Sequence, residues 1–381
     1  MALSGPGTNA PGTLAAVMYR TPAGPGSGTG NNYFSMWTSG CYAKDDGPFG
    51  SMVFCSGGDG DYWGNEVYKF SLDTRTWTRE CSRSTGLSGE RSDPNFDTAW
   101  GEHLSPGGNP PPQPGVPHTY DQVEYLPPHL GGGASGSFMF CTRTVVYRVR
   151  GFRHPHVFDL HARRWRRGSE TPGIVAYGAQ TDAPSWCFDT KRNRYWGIRG
   201  GEGGHSINRL NYLDFDPKTG LATSGHVNIP SHLTPRQLPF SRHWPTGDLM
   251  LIGGWNRAGT AFDLRACPLA HASMGFSSLE LSGSTIPLGR YGFAYCDDLD
   301  CFFVRMSSGH RQKIWKIVPP DSDALARPWD VEEITMRGVT VAAAGHGQGM
   351  WKRLMYVPPL KCLTWVDDAQ GAVYAYRPLG T

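Results

Sequence analysis

Long apolar runs, a basic leader and a surplus of charge of either sign are all missing from this chain of 381 residues. No window approaches the roughly 18–20 apolar residues that a membrane helix needs, so helical membrane insertion is excluded. The N-terminus, Met1-Ala2-Leu3-Ser4-Gly5-Pro6-Gly7, lacks a basic segment followed by an apolar core of about 7–15 residues, and no secretory leader is expected. Charged residues make up 18% of the chain, and 36 Lys and Arg against 33 Asp and Glu leave a net charge of +3. That balance creates no field suited to a nucleic acid or an anionic membrane, so partners must be argued from local features.

Complete metal and catalytic motifs are also missing. Asp59, Asp61 and Glu66 follow Gly57-Gly58 in a loop and could collect calcium, but the full alternating acidic pattern of a calcium loop is not there. Nine cysteines are an odd number, so at least one has no intramolecular partner. Cys55, Cys141, Cys187, Cys301 and Cys362 stand inside apolar runs, where cysteine behaves as a small hydrophobe. Cys296 and Cys301 flank the turn Asp297-Asp298-Leu299-Asp300 and are placed to face each other across a hairpin. Without an export signal, buried thiols are expected rather than disulfides.

What the chain does have is repetition. Apolar runs begin at Ser51, Ser137, Tyr195, Leu249, Cys301 and Cys362, spaced by 86, 58, 54, 52 and 61 residues. Repeats of roughly 50 residues, each a small antiparallel sheet, are the mark of a propeller. Fifty glycines, thirty prolines and 13 tryptophans fit a turn-dense all-β protein with aromatics between its sheets. Six four-stranded blades are expected near 33–82, 115–170, 177–228, 236–285, 289–338 and 345–381. In the first, Met52-Val53-Phe54-Cys55 leads to Gly57-Gly58, Val67-Tyr68-Lys69-Phe70, Asp73 and Trp77. The step from Phe70 to Trp77 recurs from Phe158 to Trp165, which predicts that these strands occupy equivalent places.

Two segments stand outside the repeats. Residues 1–32 form a Gly/Pro-rich arm with one apolar stretch of strand length, Leu14 to Tyr19. The last blade ends near Val373, Tyr374 and Tyr376 without a clear fourth strand, so Leu14, Val17 and Tyr19 are expected to order the arm against it and close the ring. The second segment, 82–116, is an insertion long enough to be a contact surface and includes Trp100 and His103. A cluster containing Arg163, Arg164, Arg166 and Arg167 is the other candidate interaction surface; arginine's planar fork suits an acidic partner.

Gly57-Gly58 with Tyr68, Phe70 and Trp77, Gly200-Gly201 with Phe215-Asp216, and Gly253-Gly254 with Phe262-Asp263 resemble kelch motifs. The resemblance covers most of 33–381, although blades two, five and six lack the paired glycine. It implies a kelch-type, galactose-oxidase-like propeller, a fold that hosts enzymes, adaptors and virion parts alike. A copper oxidase of that type would draw on residues such as His118, His154, His156, His205 and His310, but their spacing singles out no site. Ser71 to Trp77 is close to a sialidase Asp-box turn, yet one residue short and without its glycine. A sugar epimerase or lyase acting at the channel mouth stays open.

The expectation is therefore a non-catalytic structural or docking propeller, with no catalytic or metal residue and no cofactor assigned. Its partners would be other protein subunits, in a homo-oligomeric ring or tail complex. Its architecture resembles the propeller-bearing tail proteins of short-tailed phages, which implies a virion tail component assembled in the host cytoplasm. A cytoplasmic kelch adaptor and a sugar-active enzyme are the alternatives.

Overall fold

The computed structural model describes residues 38–55, 65–82, 96–97, 102–103, 113–114, 119, 121–140, 155–166, 185–198, 206–233, 240–256, 258–306, 309–337, 341, 350–367 and 372–378. Six small antiparallel sheets are arranged as a six-bladed β-propeller. Blade 1 holds β1 (Gly40–Ala43), β2 (Ser51–Cys55), β3 (Val67–Ser71) and β4 (Thr76–Arg79). A separate sheet of β5 (Phe96–Asp97), β6 (Glu102–His103) and β7 (Gln113–Pro114) lies within the insertion. Blade 2 holds β8 (Val123–Leu126), β9 (Ser137–Phe140), β10 (His156–Asp159) and β11 (Arg164–Trp165). Blade 3 holds β12 (Ser185–Asp189), β13 (Arg194–Ile198), β14 (Ser206–Phe215) and β15 (Ala222–Leu233). Blade 4 holds β16 (Phe240–Trp244), β17 (Leu249–Trp255), β18 (Phe262–Pro268) and β19 (Ser277–Ser278).

Blades 5 and 6 depart from four strands. β20 (Leu281–Gly283) adds in parallel to the outer edge of β21 (Tyr291–Cys296), β22 (Cys301–Met306), β23 (Lys313–Val318) and β24 (Trp329–Thr335), making five. β25 (Met355–Val357), β26 (Cys362–Val366) and β27 (Val373–Tyr376) make three among the described residues.

The apolar runs that mark each repeat are the second strands. Ser51–Cys55, Ser137–Phe140, Cys301–Met306 and Cys362–Val366 are buried at every position. A strand covered by a neighbouring blade on each face needs apolar side chains on both faces, so it reads as a continuous run and not as an alternation. Gly253 in β17 shows how closely the sheet is filled: a Cβ there would stand 2.2 Å from the Phe240 ring. The seven-residue step is also a register pair, since Phe70 faces Trp77 and Phe158 faces Trp165, with ring centroids 5.2 and 5.3 Å apart.

Six hydrophobic clusters fill the six wedges between blades. One joins Met52, Phe54, Phe70 and Trp77 of blade 1 to Met355, Val357, Val366 and Val373 of blade 6. The first strands meet in the same cyclic order, and β25 returns to β1. Ring closure between blades 1 and 6 is thus hydrophobic; Leu14, Val17 and Tyr19 of the expected closing arm lie outside the described residues.

Each first hairpin ends on a left-handed residue immediately before the second strand. Gly50, Gly136, Asn193, Asp248, Asp300 and Lys361 have φ of 76, 73, 53, 54, 45 and 50°. Glycine adopts this conformation freely and Asn and Asp tolerate it, which leaves Lys361 as the costly member.

Candidate functional site

The six first strands enclose a cavity of about 700 Å³. Residues from β1, β8, β12, β16, β21 and β25 all line it, so it is the central channel of the propeller. It is polar at both ends, and the two ends are built differently.

At the end where the first strands enter, charges are tied across blades. Lys352, just before β25, reaches over the channel and donates to Glu124 Oε1 at 2.5 Å, Val123 O at 2.8 Å and Trp186 O at 2.7 Å. Burial pushes the Glu124 carboxyl above its ordinary range, and the Lys352 ammonium pulls it back only in part. Asp121 is fully buried and joins three blades: it accepts from Ser185 Oγ at 2.6 Å, the Ser241 amide at 2.8 Å and Arg242 Nη1 at 3.1 Å. Three such contacts fix this buried carboxylate in place between the blades.

At the other end, one position repeats in every blade. The residue of the first strand facing the second residue of the second strand is Tyr42, Tyr125, Phe188, His243, Tyr295 and Tyr356 in turn. All six line the channel. The tyrosine hydroxyls are fastened to the nearby turns: Tyr42 to Phe49 O at 2.9 Å, Tyr125 to Asp45 Oδ2 at 2.8 Å, Tyr295 to Asp300 Oδ1 at 2.7 Å, and Tyr356 to Asp298 Oδ2. Burial, with neighbouring carboxylates adding to it, raises all four phenols; Tyr42 is pushed up to about 12. They are therefore protonated donors at neutral pH. The thiols of Cys41 and Cys187 on the same wall are likewise pushed well up by burial and are not thiolates.

The residues singled out from the sequence fall elsewhere. Arg163 takes the left-handed turn position before β11 and bonds Glu80 Oε2 at 3.0 Å and Arg79 O at 3.0 Å, joining blade 2 to blade 1. Arg166 pairs with Asp159 at 3.3 Å, and Arg164 is exposed. His103 sits in β6, paired to Phe96 and Gln113. Val373, Tyr374 and Tyr376 form β27, the outermost described strand of blade 6, and Val373 belongs to the wedge against blade 1. Trp100 and Arg167 lie outside the described residues. So do Gly57-Gly58 and Gly200-Gly201, and His118, His154 and His205 of the copper set. Cys296 and Cys301 do face each other in register and are free thiols.

The channel residues Asp121, Glu124, Arg242, His243 and Lys352 carry no local motif. For His243 the signal is the strand register: aligning the six first strands by their pairing with the second strands shows an imidazole where the other blades have aromatic rings.

No family model matches this chain, and no curated protein matches it. Among solved structures it is similar to the hydrazine synthase of Kuenenia stuttgartiensis, at 10% identity and TM-score 0.42, over 90% of this chain and 79% of that one. It is also similar to an auxiliary nutrient binding protein from Bacteroides ovatus, at 9% identity and TM-score 0.45, over 90% of this chain and 69% of that one.

Proposed function

We propose that this protein is a non-catalytic propeller that docks other protein subunits in a larger assembly, with a virion tail as the assembly its architecture best suits. What supports the reading is the chemistry of the channel. Lys352, Glu124, Asp121 and Arg242 bond one another or the backbone and brace the blades. The phenols and thiols beside them are held protonated. Acid–base or nucleophilic catalysis needs a group poised between protonation states within reach of a substrate, and these groups are committed to structure. In this reading the docking surface is formed by the insertion that carries β5–β7 together with exposed Arg164.

The test is the particle mass of the protein from its native source beside that of the purified chain. A stoichiometric complex with other subunits is the expected result. Charge reversal at Arg164 and Arg167 spares the two arginines that pair with Glu80 and Asp159, and is expected to weaken that complex at physiological salt. A protein that remains a monomer in its native source overturns the reading.

The cavity favours a second reading, a sugar-active enzyme, because a concave, aromatic-lined site of about 700 Å³ is the usual form of a small-molecule pocket. Turnover of a sugar by the isolated monomer would establish it in place of the first.

A further inference from the structure

His243 breaks the rule of its position. Five blades place an aromatic ring there; blade 4 places an imidazole, buried against the turn of blade 3. Its side chain is 2% exposed, and neither Nδ1 nor Nε2 has a hydrogen-bond partner. Two carboxylates nevertheless converge on it: Asp189 Oδ1 lies 3.5 Å from Nε2, and Asp248 Oδ1 lies 3.8 Å from it. One donor atom from each of the three residues falls within 4.8 Å of the other two.

We infer that Asp189, His243 and Asp248 form a binding site for one divalent transition-metal ion, of which zinc is the best fit, bridging blades 3 and 4. The separations are the first reason. With zinc–ligand bonds of about 2.1 Å, the edge of a tetrahedron is about 3.4 Å, longer than a good hydrogen bond and close to the spacing seen here. The second is the support behind the ligands. Asp189 Oδ1 accepts from the Lys191 and Arg192 amides at 2.9 and 3.1 Å, and Oδ2 accepts from Trp196 Nε1 at 3.0 Å, so the carboxylate is oriented before any ion arrives. One nitrogen with two oxygens suits zinc and its neighbours, whereas calcium and magnesium prefer oxygen alone.

Arg192 competes for the same atoms. Its Nη1 bonds Asp248 Oδ1 at 2.6 Å and Asp189 Oδ2 at 2.9 Å, while Nη2 bonds Asp248 Oδ2 at 2.7 Å. An ion on Asp248 Oδ1 displaces Nη1 and can leave Nη2 in place. Arg192 is 29% exposed and Asp248 21%, so the displaced arm swings toward solvent and the ion enters from the turn side. The arginine thus sets the affinity: it substitutes for the metal when metal is scarce. The inference does not depend on the proposed docking role.

The test uses the full chain, treated with chelator, dialysed and titrated with zinc chloride, with calcium chloride as control. Calorimetry should give one zinc per chain, and cobalt(II) at the same stoichiometry should show tetrahedral visible absorption. At a zinc concentration about 100 times Kd, melting temperature should rise by about 3 °C. His243→Phe, which restores the residue type of the other blades, and Asp248→Asn, which keeps the left-handed turn, should each lower affinity at least about 100-fold. Arg192→Gln should raise affinity about tenfold. Absence of stoichiometric zinc binding to the wild type overturns the inference. So does binding that both His243→Phe and Asp248→Asn leave unchanged, or an Arg192→Gln affinity no higher than the wild type's.

Discussion

Lys352 and Glu124 are 228 positions apart in the chain and 2.5 Å apart in space, meeting across the channel that the six blades surround. The contact ties the entrance of blade 6 to blade 2, and the same ammonium also holds the Trp186 carbonyl of blade 3. It braces blades that share no hydrophobic wedge.

Lys352→Met should destabilise the protein by about 3 kcal/mol, because it strands a buried carboxylate and two carbonyls. Adding Glu124→Gln in the same chain should restore part of the loss, since the carboxylate is then gone. Urea denaturation of the two single variants and the double variant checks the coupling.

The Glu124 carboxyl is raised by burial, which fixes the sign of its effect on pH dependence. A carboxyl that protonates more readily in the folded protein contributes stability fully below its unfolded pKa of about 4.5, and loses it as pH rises through the folded value. Comparing urea midpoints of wild type and Glu124→Gln between pH 4.5 and 7.5 isolates the contribution. The wild type should gain stability relative to the variant as pH falls across this range.

Gly253→Ala should cost about 1–3 kcal/mol by overpacking. The added methyl meets the Phe240 ring at 2.2 Å, and that ring is fixed by Phe293 at 4.3 Å and Phe262 at 6.0 Å between centroids. A thermal melt of the variant measures the loss.

Lys361→Gly should stabilise the chain by up to about 1 kcal/mol. Lys361 is exposed and takes φ 50°, where blades 1 and 2 already use glycine. Its backbone bond to Pro358 O is kept in the variant. An unchanged or lowered melting temperature would show that the lysine side chain contributes something the turn geometry does not reveal.

The six-fold repeat was legible because each second strand is buried on both faces and so writes itself as an apolar run. The Phe70–Trp77 and Phe158–Trp165 pairs were legible because a tight turn fixes their spacing. Neither condition holds for the channel. From the ring position to the left-handed turn residue there are 8 residues in blade 1, 11 in blade 2 and 5 in the others, as Tyr42–Gly50, Tyr125–Gly136 and Tyr295–Asp300 illustrate. Unequal first turns therefore hid the fact that His243 stands where the others have aromatics. Lys352 and Glu124 were invisible for a different reason: a contact made through the centre of a ring leaves no periodicity in the chain. The arginine cluster was legible as charge, but its bonds to Glu80 and Asp159 depend on where blade 1 and β10 lie.

β20 has a consequence for hydrogen exchange. Outer strands of a propeller ordinarily leave half their backbone donors open to water, so they exchange first. β24 has its β23 partner on one side and β20 on the other, with the Trp329 amide bonded to Glu280 O and the Val331 carbonyl taken by the Ser284 amide. The connection from blade 4 to blade 5 is thereby sewn into the rim it passes. In deuterium, blade 5 should keep its periphery protected longer than any four-stranded blade, and the pathway of partial opening should start elsewhere on the circumference.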